Sequence, residues 1–219
     1  MENKFSLITA NLGSRYLHTV KALLDKVGMG TLYANKYNWG STPLDGIFAF
    51  VDLVSKTKPT VVCLQEMKKD YDLLHMDQVQ LITYLLDKSG EKYTGFYGGG
   101  TSGESQDGAN ADYRAILIRD SHLNGHNVEE IASNESGPVG IAYRLDNPDV
   151  WVASIHLRYS QTELRLAQME CLGRWVRSKE GPVVIAGDFN TQHLATGKLS
   201  KAVAIRTIEM VGEFDLEIL

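Results

Sequence analysis

The sequence predicts an α/β fold built on two sheets, and two features of the chain lead to that class. Short runs rich in valine, isoleucine and leucine alternate with segments whose apolar residues recur at helical spacing. The strand candidates between residues 113 and 157 follow one another without helices between them, which favours an antiparallel portion beside the α/β alternation. We therefore expect a two-sheet α/β sandwich.

The individual elements follow from local patterns. Six segments are short aliphatic runs bounded by glycine, proline, asparagine or aspartate, as strands are. In chain order these are residues 5–11, 60–66, 113–119, 139–145, 150–157 and 182–188. Helical spacing of apolar residues is found around residues 47–54, 79–86 and 164–175, and a helix-like stretch covers about 200–212. Without internal repeats or a linker, residues 1–219 are expected to form a single domain.

Two long segments do not fit either pattern. Residues 97–112 contain five glycines and no large apolar residue after Tyr97, and residues 14–43 carry a short amphipathic piece followed by three aromatic residues. Loops of this length in a compact domain are often functional. The second segment directly follows the first strand, so we expect it to form a rim beside the strand ends.

Composition limits the classes of function. Among 219 residues, 22 Lys and Arg stand against 27 Asp and Glu, a net charge of −5, which excludes a surface devoted to general phosphate neutralisation but allows a local basic groove. The two cysteines, Cys63 and Cys171, match neither a disulfide framework nor a zinc motif, and we interpret both as core residues in a reducing compartment. With no apolar segment of membrane-spanning length and no signal-peptide pattern, a cytoplasmic protein is expected.

Polar residues follow four of the predicted strands at the point where each strand ends. Asn11 ends the first, Glu66 the second, His156 the fifth, and Asp188 with Asn190 the sixth. Ligands of α/β proteins gather at the carboxyl ends of strands. Two carboxylates, two amides and an imidazole are suited to a site for a hard cation next to an acid/base group that acts on a phosphate.

Each of these residues also has an ordinary structural explanation. An asparagine such as Asn11 often ends a strand as a turn former or a helix cap, and Glu66 could be the first solvated residue of a loop. A histidine such as His156 is commonly a hydrogen-bonded core residue. The segment "GDFN" could form an Asx-turn whose acid caps a helix. Their occurrence together, in this order, favours the functional interpretation.

The motifs that contain these residues carry a family resemblance. The segments "TANLG", "VVCLQEM", "SIHLRYSQTELRLAQM" and "VVIAGDFN" resemble the ordered motifs of the endonuclease/exonuclease/phosphatase superfamily. This superfamily of metal-dependent phosphoesterases includes deoxyribonuclease I, abasic-site endonucleases, inositol polyphosphate 5-phosphatases, neutral sphingomyelinases and poly(A) deadenylases. The resemblance spans residues 5–190, and Arg165 with Gln168 on the helix after "HL" supports it.

The resemblance implies a deoxyribonuclease I-like, four-layer α/β sandwich with two central mixed sheets. It also implies that Glu66 binds Mg²⁺, or Mn²⁺, with Asn11 nearby as a metal or substrate contact. His156 and Asn190 would contact the scissile phosphate, and Asp188 would orient or deprotonate the attacking water. The chemistry agrees, because phosphodiester hydrolysis needs charge neutralisation at the phosphate and a positioned nucleophile.

The chain departs from the superfamily pattern in its last residues. Superfamily members end with further strands and a Ser-Asp-His motif, which this sequence lacks. The resemblance therefore implies a domain that is incomplete after about residue 215: a fragment, a chain completed by other parts, or a reduced relative. We expect the 219-residue chain to be nearly inactive by itself. His193 does not have the spacing to replace the missing histidine.

Three functions stay open on this evidence. A Mg²⁺-dependent nuclease acting on DNA or RNA is favoured, because the chain has neither a membrane-binding stretch nor a strongly basic cluster for polyphosphorylated headgroups. A phosphatase of inositol phosphates or lipids is the alternative within the same chemistry. A catalytically impaired relative that acts as a binding module is the alternative from another class. Arg114, Arg119 and Arg158 could line a phosphate path in any of them or form surface ion pairs, and nothing indicates an obligate protein partner.

Overall fold

Two four-stranded sheets form the centre of the molecule, as the sequence predicts. The computed structural model describes residues 5–12, 43–67, 77–99, 113–125, 127–134, 137–158, 162–190 and 209–210. The strands are β1 (Leu7–Asn11), β2 (Val61–Met67), β3 (Tyr93–Tyr97), β4 (Tyr113–Arg119), β5 (Val128–Ser133), β6 (Gly137–Asp146), β7 (Asp149–His156) and β8 (Val183–Asp188). The helices are α1 (Pro43–Thr57), α2 (Gln78–Lys88) and α3 (Thr162–Arg177), with a 3₁₀ turn at Asp120–His122.

Each sheet contains one parallel pair of strands at one side. The first sheet has the order β1-β2-β4-β3, with β1 and β2 parallel, and the second has the order β5-β6-β7-β8, with β7 and β8 parallel. All other pairings are antiparallel. In the parallel pairs Asn11 lies beside Gln65, and His156 lies beside Asp188. The register therefore places the polar residues at the strand ends side by side within each parallel pair.

Buried apolar side chains form three layers: one between the two sheets and one between each sheet and its helices. Residues such as Cys63, Ile116 and Val152 form the core between the two sheets. The outer face of the first sheet packs against α1 and α2, and the outer face of the second packs against α3. This is a helix–sheet–sheet–helix sandwich, in which both faces of each central strand are buried. Within the described residues, no helix is long and apolar enough to cross a membrane.

Local sequence explains where the helices begin and end. Helix α1 begins at Pro43, whose missing N–H costs nothing in the first turn. After its last residue, Lys58 adopts a left-handed φ of 49° and donates its N–H to the carbonyl of Val54. Helix α2 begins with a capping box, in which Asp77 accepts the N–H of Gln80 and the Gln80 side chain accepts the N–H of Asp77.

The structure confirms the six predicted strands and three predicted helices and adds two strands. The added strands, β3 and β5, lie at sheet edges, where a strand is hydrogen-bonded to a neighbour on one side only. Strand β3 contains Gly95, where a Cβ atom would lie 2.3 Å from Cγ1 of Val79 on α2. Strand β5 carries two glutamates. Glycine and charged residues are unfavourable in strands, so the search for aliphatic runs did not predict β3 and β5.

One expectation about the fold is corrected and another is confirmed. The strands predicted between residues 113 and 157 do not form one antiparallel group. Residues 113–119 form β4, which lies in the first sheet, between β2 and β3, whereas β6 and β7 lie in the second. Cys63 and Cys171 are both buried and free, as expected for core residues. The structure of residues 13–42 and 100–112, of His193 and of most of residues 200–212 lies outside the described residues.

Candidate active site at the carboxyl ends of two parallel strand pairs

Asn11 and Glu66 form the half of the site that belongs to the first sheet. Asn11 Nδ2 donates to Oε1 of Glu66 at 2.8 Å, and the backbone N–H of Leu12 donates to the Gln65 carbonyl at 3.1 Å. The amide of Asn11 is 9% exposed, so this contact is sheltered from solvent. Only Oδ1 of Asn11 could bind a cation, because the amide nitrogen carries two hydrogens and acts as a donor.

Glu66 is turned toward the site by a bulge in its strand. The register between β2 and β4 shifts between Leu64 and Met67, and Glu66 has a φ of 57° inside that shift. A left-handed conformation in a residue other than glycine is uncommon within a strand and costs about 1–3 kcal/mol. Bulges of this kind re-aim a side chain. The local backbone is thus strained where the carboxylate is directed out of the regular ladder.

His156 and Asp188 come from the second sheet and face Glu66. Nε2 of His156 lies 3.9 Å from Oε1 of Glu66, which is beyond hydrogen-bond length. One ligand atom from each of Glu66, His156 and Asp188 lies within 4.8 Å of the others. All three residues are partly exposed. The structure therefore brings together, across the gap between the sheets, the group that the sequence predicts.

Asn190 lies in a turn directly after Asp188. Oδ1 of Asp188 accepts the backbone N–H of Asn190 at 2.7 Å, so the Asx-turn considered as an alternative is present. Asn190 is buried, has a φ of 52°, and donates through Nδ2 to the carbonyl of Leu157. In this conformation its side chain holds the segment after β7, and contact with a phosphate stays a prediction.

Gly187 makes the "GDFN" turn possible. Its φ is 146°, and a Cβ atom there would lie 2.0 Å from the carbonyl oxygen of Ile155. Only glycine allows the end of β8 to approach β7 this closely. The close approach is also what brings Asp188 beside His156.

Side chains of α3 fix the backbone just beyond His156. Oε1 of Gln168 accepts the N–H of Arg158 at 2.8 Å, and Nη1 of Arg165 donates to the carbonyl of Asn190 at 2.9 Å. Gln168 is fully buried, and burial lowers the pKa of Arg165 from its usual value. This explains the helix pattern seen in the sequence: both residues support the turns that carry the site.

A buried chain of hydrogen bonds connects the two sheets behind the site. Nε2 of Gln65 donates to Oγ of Ser154 at 3.1 Å, and that hydroxyl donates to the carbonyl of Leu64 at 3.1 Å. Oγ1 of Thr9 donates to Oε1 of Gln65 at 3.4 Å. Gln65 precedes Glu66 and Ser154 lies two residues before His156, so these bonds hold the two halves of the site at a fixed separation.

The three candidate arginines differ in position. Arg119 lies at the far end of β4, where its guanidinium pairs with Glu91 at 2.9 Å, so it takes no part in the site. Arg158 follows β7, and its Nε is buried without a hydrogen-bond partner. Arg114 lies at the site end of β4 and is 1% exposed. No pattern in the sequence ranks these three, because Arg114 and Arg119 differ only in which end of β4 they occupy and Arg158 lies in the segment after β7.

The buried cysteine near the site is not a nucleophile. Cys63 lies in the core between the sheets, and burial raises the pKa of its thiol to about 12, partly offset by a hydrogen bond with Ser154. Since the thiolate is the reactive form, this thiol is unreactive at neutral pH. The other ionisable or polar groups of the candidate site are carboxylates, amides and an imidazole.

The fold and this set of residues define a phosphoesterase-type architecture, and the sequence assigns the chain to a family. Residues 9–200 match the Endonuclease/Exonuclease/phosphatase family, and the chain belongs to it. No curated protein sequence matches the chain significantly.

Solved structures share the fold at low sequence identity. ANGEL2, described as a 2′,3′-cyclic phosphatase, is 20% identical with a TM-score of 0.56, over 85% of this chain and 52% of that one. A humanized TDP2 from D. rerio is 17% identical with a TM-score of 0.54, over 92% and 66%. A family protein from Leptotrichia buccalis is 11% identical with a TM-score of 0.57, over 93% and 74%. The chain thus spans about half to two thirds of the ANGEL2 and TDP2 structures.

Proposed function

We propose that this chain carries the catalytic residues of a Mg²⁺-dependent phosphoesterase that hydrolyses phosphodiester bonds in DNA or RNA. The observation that supports it most is the approach of Glu66, His156 and Asp188 from two different sheets to within 4.8 Å. Such a meeting of two acids and an imidazole contributes little to folding and is typical of a metal-assisted hydrolytic site.

In this proposal Glu66 and Asn11 hold the cation. Carboxylate and amide oxygens are ligands that Mg²⁺ and Mn²⁺ accept, and the ion keeps several waters when only one or two protein ligands bind it. The hydrogen bond from Asn11 Nδ2 fixes the Glu66 carboxylate. Oδ1 of Asn11 is the amide oxygen that would serve as the second ligand. A bound ion would neutralise charge on the phosphate oxygens.

The remaining residues act on the water and the phosphate. Asp188 accepts a hydrogen bond from the attacking water and fixes its direction, since its Oδ1 already lies in a rigid turn with Asn190. His156 donates to a non-bridging phosphate oxygen through Nε2, the ring nitrogen that faces Glu66. Asn190 supplies a further contact to the scissile phosphate once its side chain turns from Leu157.

Arg158 supports a substrate with more than one phosphate. Its side chain follows His156 by two residues, and its buried Nε lacks a partner, so an anion would complete its hydrogen bonding. A polynucleotide offers such an anion in the phosphate next to the scissile one. With a net charge of −5, the chain would recognise its substrate through this local contact and not through a basic surface.

The test compares two aspartate substitutions in the second sheet. Asp188→Asn should lower cleavage of labelled DNA or RNA in Mg²⁺ by about 10²- to 10⁴-fold. Asp149→Asn is the matched control, because Asp149 is at the opposite end of β7, where it pairs with Arg144 at 2.9 Å. Parallel assays with a soluble inositol phosphate and with EDTA identify the substrate class and the metal requirement. This chain and any longer native chain should both be assayed.

The outcomes separate the three functions. Cleavage of nucleic acid that depends on Asp188 supports the proposal, and cleavage of the inositol phosphate alone would favour the small-substrate phosphatase. Nucleic-acid binding without cleavage in every chain length would favour the binding module. Turnover that is unchanged in Asp188→Asn would remove these residues from the chemistry.

A further inference from the structure

Arg114 connects the first sheet to the histidine of the second. It lies on β4, and its side chain is almost fully buried at 1% exposure. Nη2 donates to the backbone carbonyl of His156, and Nη1 donates to the carbonyl of Gly99 at 3.1 Å. His156 is on β7 of the other sheet, so the guanidinium bridges the two sheets at the backbone of His156.

A guanidinium is an expensive group to bury in such a place. Removing a cation from water costs free energy that hydrogen bonds must offset, and an apolar residue could fill the same core position at lower cost. The planar fork of arginine offers donors at a fixed separation and so holds two carbonyls in a set geometry, which the rotatable donors of a lysine ammonium do not impose. The benefit of arginine at position 114 is therefore geometric: it fixes where two peptide groups lie.

The carbonyl that Arg114 holds belongs to the same residue as the imidazole, so it restrains the backbone from which the ring projects. The segment after His156 is also held on its other sides: Leu157 N–H donates to the Asp188 carbonyl at 2.9 Å, and the Leu157 carbonyl accepts from Asn190. These two contacts come from the second sheet and the turn after it. Arg114 links the carbonyl of His156 to the first sheet, to which Glu66 belongs, in addition to the bonds between Gln65, Ser154 and Leu64.

We propose that Arg114 is a positioning residue that sets the place of the His156 imidazole relative to Glu66. The inference rests on the proposed function in one respect, namely that His156 acts on the phosphate. It makes no claim that Arg114 contacts substrate. Its loss should leave the fold largely intact while the His156 ring samples other positions.

The first experiment does not depend on activity. Spectra of the ¹⁵N-histidine-labelled protein, with the His156 ring signals identified by their loss in His156→Gln, are compared among three variants. Arg114→Met removes the fork, Arg114→Lys keeps the charge and most of the stem, and Arg119→Met removes an arginine from the same strand at its other end. We expect the His156 signals to shift or broaden in Arg114→Met, to change partly in Arg114→Lys, and to match the wild type in Arg119→Met.

The second experiment measures rates in chains that show turnover. Arg114→Met should lower kcat by about 10- to 100-fold with little change in KM, since a displacement of about 1 Å can cost 10²-fold. Arg119→Met, corrected for folded fraction, should keep its kcat. If urea unfolding shows that Arg114→Met is not folded, Arg114→Lys is used in both experiments.

Each outcome has a separate meaning. His156 signals identical to the wild type in the folded Arg114 variants would overturn the positioning role, whatever the activity. A wild-type protein without phosphoesterase activity in any chain length would remove the proposed function, and the spectra would still decide whether Arg114 places His156. Equal kcat losses in the Arg114 and Arg119 variants would indicate general stability and overturn the inference.

Discussion

The two ends of strands β2 and β4 both carry charged groups, but they are built in different ways. At one end the Glu91 carboxylate is paired with Lys58 and with Arg119, and the hydrogen bond from Lys58 is the main reason that its pKa is lowered. At the other end Glu66 faces His156 of the opposite sheet at 3.9 Å, too far for a hydrogen bond. The first arrangement joins opposite charges in direct contact, whereas the second brings ionisable groups of two different sheets near each other without a direct hydrogen bond between them.

The two ends also differ in where residues with a positive φ occur. Lys58 has a positive φ at the end of a helix, where a left-handed residue is a common way to stop. Glu66 has one inside a strand, and Asn190 has one in the turn after β8. Strain that a fold does not need for its own connections tends to be found at functional sites. The ion pair at Glu91 and the candidate site at Glu66 therefore differ both in their contacts and in where the backbone is strained.

Removal of the site histidine should have the largest effect. His156→Ala should lower phosphodiester cleavage by about 10²- to 10³-fold, because the phosphate would lose the donor that stabilises its developing charge. Relative rates in Mg²⁺, corrected for folded fraction, measure this. His122→Ala, in the 3₁₀ turn at the other end of β4, is the control and should keep its rate. Equal rates in the two variants would exclude His156 from the chemistry.

Stabilisation by metal should depend on Glu66 and not on Glu91. Thermal unfolding with increasing Mg²⁺ or Mn²⁺ should stabilise the wild type, by about 2.7 kcal/mol at a metal concentration 100 times the Kd. Glu66→Gln should lose most of this shift because the carboxylate ligand is gone. Glu91→Gln, at the ion-pair end, should keep it. A shift of the same size in both variants would remove Glu66 from the metal site.

The buried bonds between the sheets should contribute to stability next to the site. Ser154→Ala should lower the free energy of unfolding by about 1–3 kcal/mol, since Gln65 Nε2 and the Leu64 carbonyl would lose their partner in a buried place. Urea unfolding measures the change. Ser178→Ala, which removes a hydroxyl at the end of α3, is the control and should cost less. A smaller loss in Ser154→Ala than in the control would mean that these bonds do not hold the sheets.

The ion-pair end should show the smallest effect and a dependence on pH. A carboxyl whose pKa is lowered in the folded state contributes stability above its unfolded pKa, and this contribution is lost as pH falls through the folded pKa. Glu91→Gln should therefore cost about 1 kcal/mol or less at pH 7, because both partners remain partly exposed, and almost nothing well below the lowered pKa. Urea unfolding at several pH values measures it. A cost that stays constant into acid would contradict the ion-pair assignment.

Most of the fold could be predicted from the sequence because the central strands are covered on both faces. A central strand such as β2 or β7 must then be an unbroken aliphatic run, and such a run can be recognised in the sequence alone. The residues at its end are equally visible, so Asn11, Glu66, His156, Asp188 and Asn190 could all be named. The edge strands β3 and β5 could not, since exposure permits Gly95 and two glutamates where the pattern expects aliphatic residues.

Tertiary structure alone decided how the two halves of the site meet. Gln65 and Ser154 are 89 residues apart in sequence, and Arg114 is 42 residues from the carbonyl that it holds. Such contacts depend on how one sheet stacks on the other, and no local pattern encodes that. The bulge that turns Glu66 and the direction of β4 that separates Arg114 from Arg119 also come from strand pairing. The sequence determined which chemical groups are available, and the packing of the two sheets determined which of them face each other.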